Sequence, residues 1–320
     1  MSEYETNQFA KDVLAGLSSE PKYLLSKYFY DDRGSKIFQE IMQMPEYYLT
    51  DCELEIIKTH KQDILEAIFT HARAFDLIEL GAGDGMKTKI LLEYLYDKKA
   101  DFQYVPIDIS GTTVKNLEHE IKALFPGIGV VGQIGDYFHL LEEMSRQNGV
   151  PKMLMFLGSN IGNMDQEQSI EFLGKLRSVM NLNDLLLIGF DLKKDPEIIM
   201  KAYDDPHGLT AAFNLNLLQR INRELNADFD TDNFRHVETY DADSGTAKSY
   251  LISQQEQSVY VGSLNQTFGF RKGEVIYMEM SQKYDMEMIR GLAENSGFEI
   301  VRNFNDKRQF FTNSIWKPKT

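Results

Sequence analysis

Leu77-Ile78-Glu79-Leu80-Gly81-Ala82-Gly83-Asp84-Gly85 is the stretch that decides the fold. An apolar run carrying one acid is followed by glycine at every second position. The run reads as a buried strand, and the glycines as the tight turn into a helix beginning near Lys87. A turn without Cβ atoms lets a ligand approach the backbone closely. A nucleotide-like cofactor is the usual reason for such a turn.

The spacing narrows the cofactor. A dinucleotide fingerprint runs G-x-G-x-x-G/A. Here the third glycine comes one residue early, and Met86 stands where the last small residue belongs. An acid two residues ahead of G-x-G-x-G resembles motif I of the class I S-adenosylmethionine methyltransferases. That cofactor has a cationic sulfonium and an ammonium group but no pyrophosphate. Glu79 suits it on charge, and Gly81 and Gly83 leave it room along the backbone.

Composition sets wide bounds. The chain has 320 residues, enough for one large domain or two modest ones. Apolar content of 42% and charged content of 26% are ordinary for a soluble globular protein. A net charge of −15 argues against nucleic acid or an anionic membrane as partner. Cys52 is the single cysteine, so no internal disulfide forms and a reducing, cytoplasmic setting is expected. The N-terminus lacks the apolar core of a signal peptide. No apolar run approaches the ~18 residues of a membrane span. The histidines show no ligand spacing, so no metal site is expected.

From about residue 60 to 193 strand and helix signals alternate. The pattern predicts strands at 75–79, 103–107, 128–134, 152–157 and 185–191, with helices at 87–96, 114–124 and 166–180. That order implies a largely parallel, Rossmann-like α/β sheet. Ligands bind beyond the carboxyl ends of such strands. The first four ends carry Glu79, Asp108, Asp136 and the Gly158–Asn163 loop. Asp108 is placed to accept from ribose hydroxyls, and Asp136 to hold an adenine amino group. Either acid read alone is equally a turn or N-cap residue, as is Asn163 before the helix that follows it. The end of the chain gives a helix and two strands, the antiparallel edge that completes a methyltransferase sheet. Residues 58–193 and 284–320 are therefore expected to form the cofactor domain. Residues 1–57 and 194–283 lack the βα rhythm and are expected to make a second, α+β, substrate-binding lobe.

Those outer segments carry the sharper resemblance. Tyr30-Asp31-Asp32-Arg33-Gly34-Ser35 and Pro45-Glu46-Tyr47-Tyr48 are similar to the N-terminal region of the ergothioneine-pathway histidine Nα-methyltransferases. So are Phe156–Asn163, Asp191–Pro196, Ala202–Asp205, Gly208–Asn214 and Met278-Glu279-Met280-Ser281, in order over nearly the whole chain. The resemblance implies three methyl transfers from S-adenosylmethionine to the α-amino nitrogen of L-histidine, giving hercynine. It assigns the substrate carboxylate to Asn163 and Tyr203, the imidazole to Glu279 and Ser281, and the enclosing aromatic walls to Tyr30, Phe38 and Tyr47. It assigns the cofactor to Gly83, Lys89, Asp108, Asp136 and Tyr137. Tyr30 is also the candidate catalytic hydroxyl, able to receive the amine proton.

The residue types suit these roles. Asn163 and Tyr203 offer donors to a carboxylate, and Glu279 favours a protonated ring. Aromatic walls attract a growing quaternary ammonium. There are departures from the family. Asn160 stands where Thr is common, Leu49 and Asp51-Cys52 follow the paired tyrosines, and Ser249 lies near a position that tends to be Met. They bear on substrate choice, so other readings remain: an N-methyltransferase for another amino acid or aromatic amine, or a non-catalytic S-adenosylmethionine-binding protein.

Overall fold

The computed structural model describes residues 3–69, 74–135, 137–147 and 150–320. In chain order the elements begin with α1 (Glu3–Ser18), β1 (Lys22–Tyr23), α2 (Asp32–Ile41), α3 (Tyr48–Phe69), β2 (Ala74–Leu80), α4 (Thr88–Asp97) and β3 (Asp101–Asp108). Next are α5 (Gly111–Leu124), β4 (Gly129–Val130), β5 (Gln133–Ile134), α6 (Tyr137–Gln147), β6 (Lys152–Phe156), α7 (Gln166–Ser178) and β7 (Leu185–Asp191). Then come α8 (Pro196–Tyr203), α9 (Leu209–Leu225), β8 (Phe234–Asp241), β9 (Thr246–Ser253), β10 (Gln257–Val261) and β11 (Gln266–Phe270). The last are β12 (Val275–Gln282), α10 (Met286–Asn295), β13 (Phe298–Asn305) and β14 (Phe311–Pro318). The chain divides into two compact units: Met1–Tyr48 with Lys194–Ser281, and Leu49–Lys193 with Gln282–Thr320. Residues 49–57, expected with the substrate lobe, lie in α3 and pack in the larger unit, because one continuous helix carries them there.

The larger unit is a sheet in the order β13-β14-β7-β6-β2-β3-β4, with β5 also paired to β3. Strands β7, β6, β2, β3, β4 and β5 run parallel, and β14 is antiparallel to both β7 and β13. This is the expected α/β architecture with its antiparallel end. Parallel strands covered on both faces read as continuous apolar runs, and Phe75–Leu80 is buried throughout. The strand expected over 128–134 is instead two short pairings, β4 and β5. Gly132 between them lies so close to α5 that an added Cβ would be 2.4 Å from Val114 Cγ1. Phe190 stacks on Trp316 at 5.6 Å in the core, and Trp316 Nε1–H donates to Ser314 Oγ at 2.7 Å. Burying a ring such as Phe190 contributes roughly 2–3 kcal/mol.

The smaller unit has the sheet β1-β12-β9-β8 and the paired β10-β11. Its own core gathers Phe9 and Val13 of α1, Leu217 and Ile221 of α9, and Leu251, Phe270 and Ile276 from the strands. Among the described residues no helix is long and apolar enough to cross a membrane.

Candidate active site

In the larger unit the strand ends bring the glycine-rich turn and Asp108 together. Gly81, Gly83 and Gly85 have φ of +73°, +53° and +64°, left-handed values that favour glycine. Gly81 N–H donates to Ile107 O at 2.9 Å, which ties the turn to the end of β3. Asp108 accepts from Gly83 N–H at 3.2 Å and from Ser110 N–H at 2.9 Å. Ser110, not Asp108, caps α5. Lys89, in the first turn of α4, pairs with Glu120 at 2.7 Å. Asp136 lies outside the described residues, and Tyr137 opens α6.

Glu79 is turned away from the role its charge suggested. It is 5% exposed, and its two oxygens accept from Thr88 Oγ1–H and Tyr104 O–H, each at 2.5 Å. Burial pushes its carboxyl up to about 7 against those two donors and the Lys87 ammonium, with nearby Glu53 adding to the rise. Glu79 thus fastens β2 to α4 and β3. Sequence reasoning missed Glu53 of α3, a fully buried acid that pairs with Lys87 and accepts from Gly158 N–H. Its partners are distant in sequence, so no local signal marks it.

The loop after β6 turns through two left-handed residues, Gly158 (φ +78°) and Ser159 (φ +56°). A non-glycine there costs about 1–2 kcal/mol. Ser159 Oγ, accepting from Asp191 N–H at 3.0 Å, holds it in place. The turn leads into a 3₁₀ segment, Asn160–Asn163, whose last residue is exposed. Asn163 is not the cap of α7. Asp165 fills that position, in a capping box with Gln168.

In the smaller unit the quoted motifs prove to be the frame of an aromatic cluster. Asp31 caps α2 by accepting from Gly34 N–H at 2.7 Å, and also accepts from Asn216 and Arg223 of α9. A Cβ on Gly34 would sit 1.8 Å from Phe29 O, so only glycine lets α2 start there. Asp205 accepts from the N–H groups of His207 and Leu209 at 3.0 Å and of Thr210 at 2.8 Å, which sets the start of α9. Burial raises its pKa, but those donors outweigh burial and hold the carboxyl below the usual range.

These two helices deliver the rings. Tyr30 lies 5.4 Å, edge to face, from both Phe38 of α2 and Phe213 of α9. Phe38 meets Tyr47 at 6.1 Å, and Tyr47 meets Tyr203 at 6.3 Å. Tyr203 ends α8, and its hydroxyl lies 3.0 Å from Ser281 Oγ of β12. Tyr30 is 41% exposed, so the cluster opens to solvent on its side. Burial, then the Glu279 carboxylate, then Tyr47 and Tyr203, push the Tyr30 hydroxyl well above 10. Tyr30, Phe38, Tyr47, Tyr203, Glu279 and Ser281 are therefore gathered in one unit. Phe213 belongs with them and was read only as part of a motif. A cavity of about 240 Å³ between α9 and β8, lined by Asp204, His236 and Gln254, contains none of the expected substrate residues. Among the described residues no group of three or more His, Cys, Asp or Glu is placed to hold a metal.

The sequence matches, over residues 9–318, the family described as "Histidine-specific methyltransferase, SAM-dependent". The chain belongs to that family. The histidine N-alpha-methyltransferase of Mycobacterium tuberculosis (strain CDC 1551 / Oshkosh) is 36% identical to it over 305 residues, 95% of this chain and 93% of that one. Its counterpart in Mycolicibacterium smegmatis (strain ATCC 700084 / mc(2)155) is 38% identical over 285 residues, 89% and 87% of the two chains. Ergothioneine biosynthesis protein 1 of Schizosaccharomyces pombe is 30% identical over 287 residues, 88% of this chain and 37% of that longer one. As a member of a SAM-dependent methyltransferase family, this chain uses S-adenosylmethionine as its methyl donor.

Proposed function

We propose that this protein methylates the α-amino nitrogen of L-histidine three times, giving the betaine hercynine as a cytoplasmic step toward ergothioneine. The match to a histidine-specific family over residues 9–318 carries this reading. The ring cluster of the smaller unit, with Glu279 and Ser281, supports it: an acid and a hydroxyl suit the donor and acceptor nitrogens of an imidazole. Tyr203 offers a donor to the substrate carboxylate. Tyr30, Phe38 and Tyr47 wall the amine.

The strand-end edge fits the methyl donor. A Cβ at Gly83 would meet nothing within 4 Å, so the backbone there is open to approach. Asp108 would accept from ribose hydroxyls, and Ile109 beside it is 66% exposed, an apolar surface suited to a purine. Gly81, Gly83, Lys89, Asp108, Asp136 and Tyr137 would hold the group. Glu79 acts through Thr88 and Tyr104, as a positioning residue. When bound, the donor supplies an electrophilic methyl on a sulfonium.

What the protein's own residues add is orientation and proximity, worth several kcal/mol in such displacements. The rings exclude water and meet each added methyl with a π face, attracting the cation without demanding a hydrogen bond. Tyr30, held neutral, is no tyrosinate base at ordinary pH; its oxygen can accept the amine proton only as its own phenolic proton passes to water. Glu279 lies close enough to raise the Tyr30 hydroxyl, and its charge also favours a cationic substrate.

The test is mass spectrometry of the protein with S-adenosylmethionine and the free amino acids. Gains of one, two and three methyls on histidine alone are expected. Methylation of a different amine with histidine untouched would replace the substrate while keeping the donor. One observation favours that second reading: Ser249 donates to buried Glu238 at 2.5 Å, a polar pair beside a position where histidine-specific members tend to carry Met.

A further inference from the structure

Glu53 of α3 has no solvent exposure, yet it is an acid with two donors turned on it from two different loops. The Lys87 ammonium pairs with its Oε2. Gly158 N–H points between its oxygens, at 3.1 Å from Oε1 and 2.9 Å from Oε2. A Cβ on Gly189 of β7 would fall 2.5 Å from Oε1, so the sheet leaves a glycine-sized notch for this carboxylate. Lys87 closes the glycine-rich turn at the start of α4. Gly158 opens the left-handed turn that leads to Asn160–Asn163.

The two loops meet around this ion pair. A Cβ on Gly158 would lie 3.4 Å from Lys87 Nζ and 3.7 Å from Asn160 Nδ2, and one on Gly81 3.9 Å from the same amide. A buried ion pair is a poor means of stabilising a fold, because apolar residues of the same volume do as well without desolvating charge. What apolar residues cannot do is fix an N–H and an ammonium at set points. Catalysis by orientation needs that fixity.

We propose that Glu53 is a positioning residue for methyl transfer: its buried carboxylate clamps Lys87 and Gly158, and so holds the glycine-rich turn and the Asn160–Asn163 segment in register. The proposal rests on the methyltransferase reading. Glu53 touches neither donor nor substrate. It acts through the two loops, so its loss lowers kcat and donor affinity together.

The experiment uses the full chain and three variants: E53Q, K87M, and the double E53L/K87M. The double removes both charges at once and leaves no buried ion unpaired. Melting temperature, binding of S-adenosylhomocysteine by calorimetry, and kcat and KM for histidine are measured on each. The expected result for the double is melting close to the parent with product affinity and kcat each down on the order of 10- to 100-fold. E53Q keeps the shape and one acceptor for Gly158 N–H, so its kinetics fall between the two. A double variant that binds and turns over like the parent makes the pair mere filling and overturns the proposal. Should the double not fold, E53Q decides alone, and unchanged product affinity in it has the same force. A parent that binds S-adenosylhomocysteine but leaves histidine unmethylated refutes the substrate assignment instead, and the binding comparison still stands.

Discussion

The Tyr203 hydroxyl lies 3.0 Å from the Ser281 hydroxyl, joining the last residue of α8 to β12 inside one unit. Both groups can donate or accept, so the pair adapts to a carboxylate on one side and a ring nitrogen on the other. Tyr203→Phe removes one donor to a charged group, a loss of about 1.5–3 kcal/mol. The histidine KM is expected to rise at least tenfold, with S-adenosylhomocysteine affinity unchanged. Calorimetry that shows both ligands weakened alike would make Tyr203 part of the scaffold.

Glu79 gives a pH dependence with a definite sign. Its carboxyl is raised from its ordinary 4.5 to about 7, so the folded protein binds the proton more tightly than the unfolded chain. Stability therefore falls as pH climbs from 4.5 to 7, and the cost persists above that window. Glu79→Gln removes the titration, and Thr88 and Tyr104 can reverse their hydroxyls to accept from the amide. The variant is expected to be more stable than the parent at pH 8 by up to about 3 kcal/mol and close to it at about pH 4, below the ordinary carboxylate range. Urea melts at the two pH values check this, and a pH-independent gap would contradict the burial argument.

What was legible in the chain was what is local. Leu77–Gly85 declares strand, turn and glycine spacing within nine letters, and the alternation after it follows from period alone. The 128–134 stretch read as one strand because β-branched residues fill it. Only the fold shows that it splits at Val131-Gly132, where Gly132 packs against Val114. The two-residue β1 exists through its parallel pairing with β12, more than 200 residues away, which no window can see. Glu79 was read by charge and place, but its neighbours Thr88 and Tyr104 were not weighed, so its inward turn was missed. Phe213 was quoted inside a motif, yet only the folded α9 brings it against Tyr30.

Tyr30 tests how much proton transfer matters. Burial and the Glu279 carboxylate keep its hydroxyl protonated well past pH 10, so it contributes no titration to the rate below that pH. The pH profile of kcat between 7 and 10 should show the amine of the substrate and no phenol. Tyr30→Phe keeps the ring and is expected to lower kcat by about tenfold, less than the ~100- to 10,000-fold of general acid–base catalysis. A thousandfold loss, or a profile limb that disappears in the variant, would make Tyr30 a true base.

Cys52 is expected to be chemically silent. It is 1% exposed, and its thiol is pushed up to about 12 by burial and by Asp306, against the Arg308 guanidinium that lies 3.1 Å away. The thiolate is the reactive form, and at pH 8 almost none is present. Iodoacetamide should leave the native protein unmodified and label it fully in denaturant. Rapid native labelling would show α3 opening on the labelling timescale.

Gly83 and Gly85 separate a ligand's needs from the fold's. Both have left-handed φ, so alanine at either costs about 1–2 kcal/mol of backbone strain. At Gly85 the new Cβ would also fall 2.6 Å from Leu117 Cδ1 of α5, adding an overpacking cost of about 1–3 kcal/mol. At Gly83 it would meet no protein atom within 4 Å, and only a ligand lying along the turn would feel it. Gly85→Ala should therefore lose more stability, read as the urea midpoint, while Gly83→Ala loses only its backbone strain in the midpoint but S-adenosylhomocysteine affinity by tenfold or more. If Gly83→Ala binds as the parent does, the donor does not pass over this turn, and the reading of Leu77–Gly85 as its cradle fails.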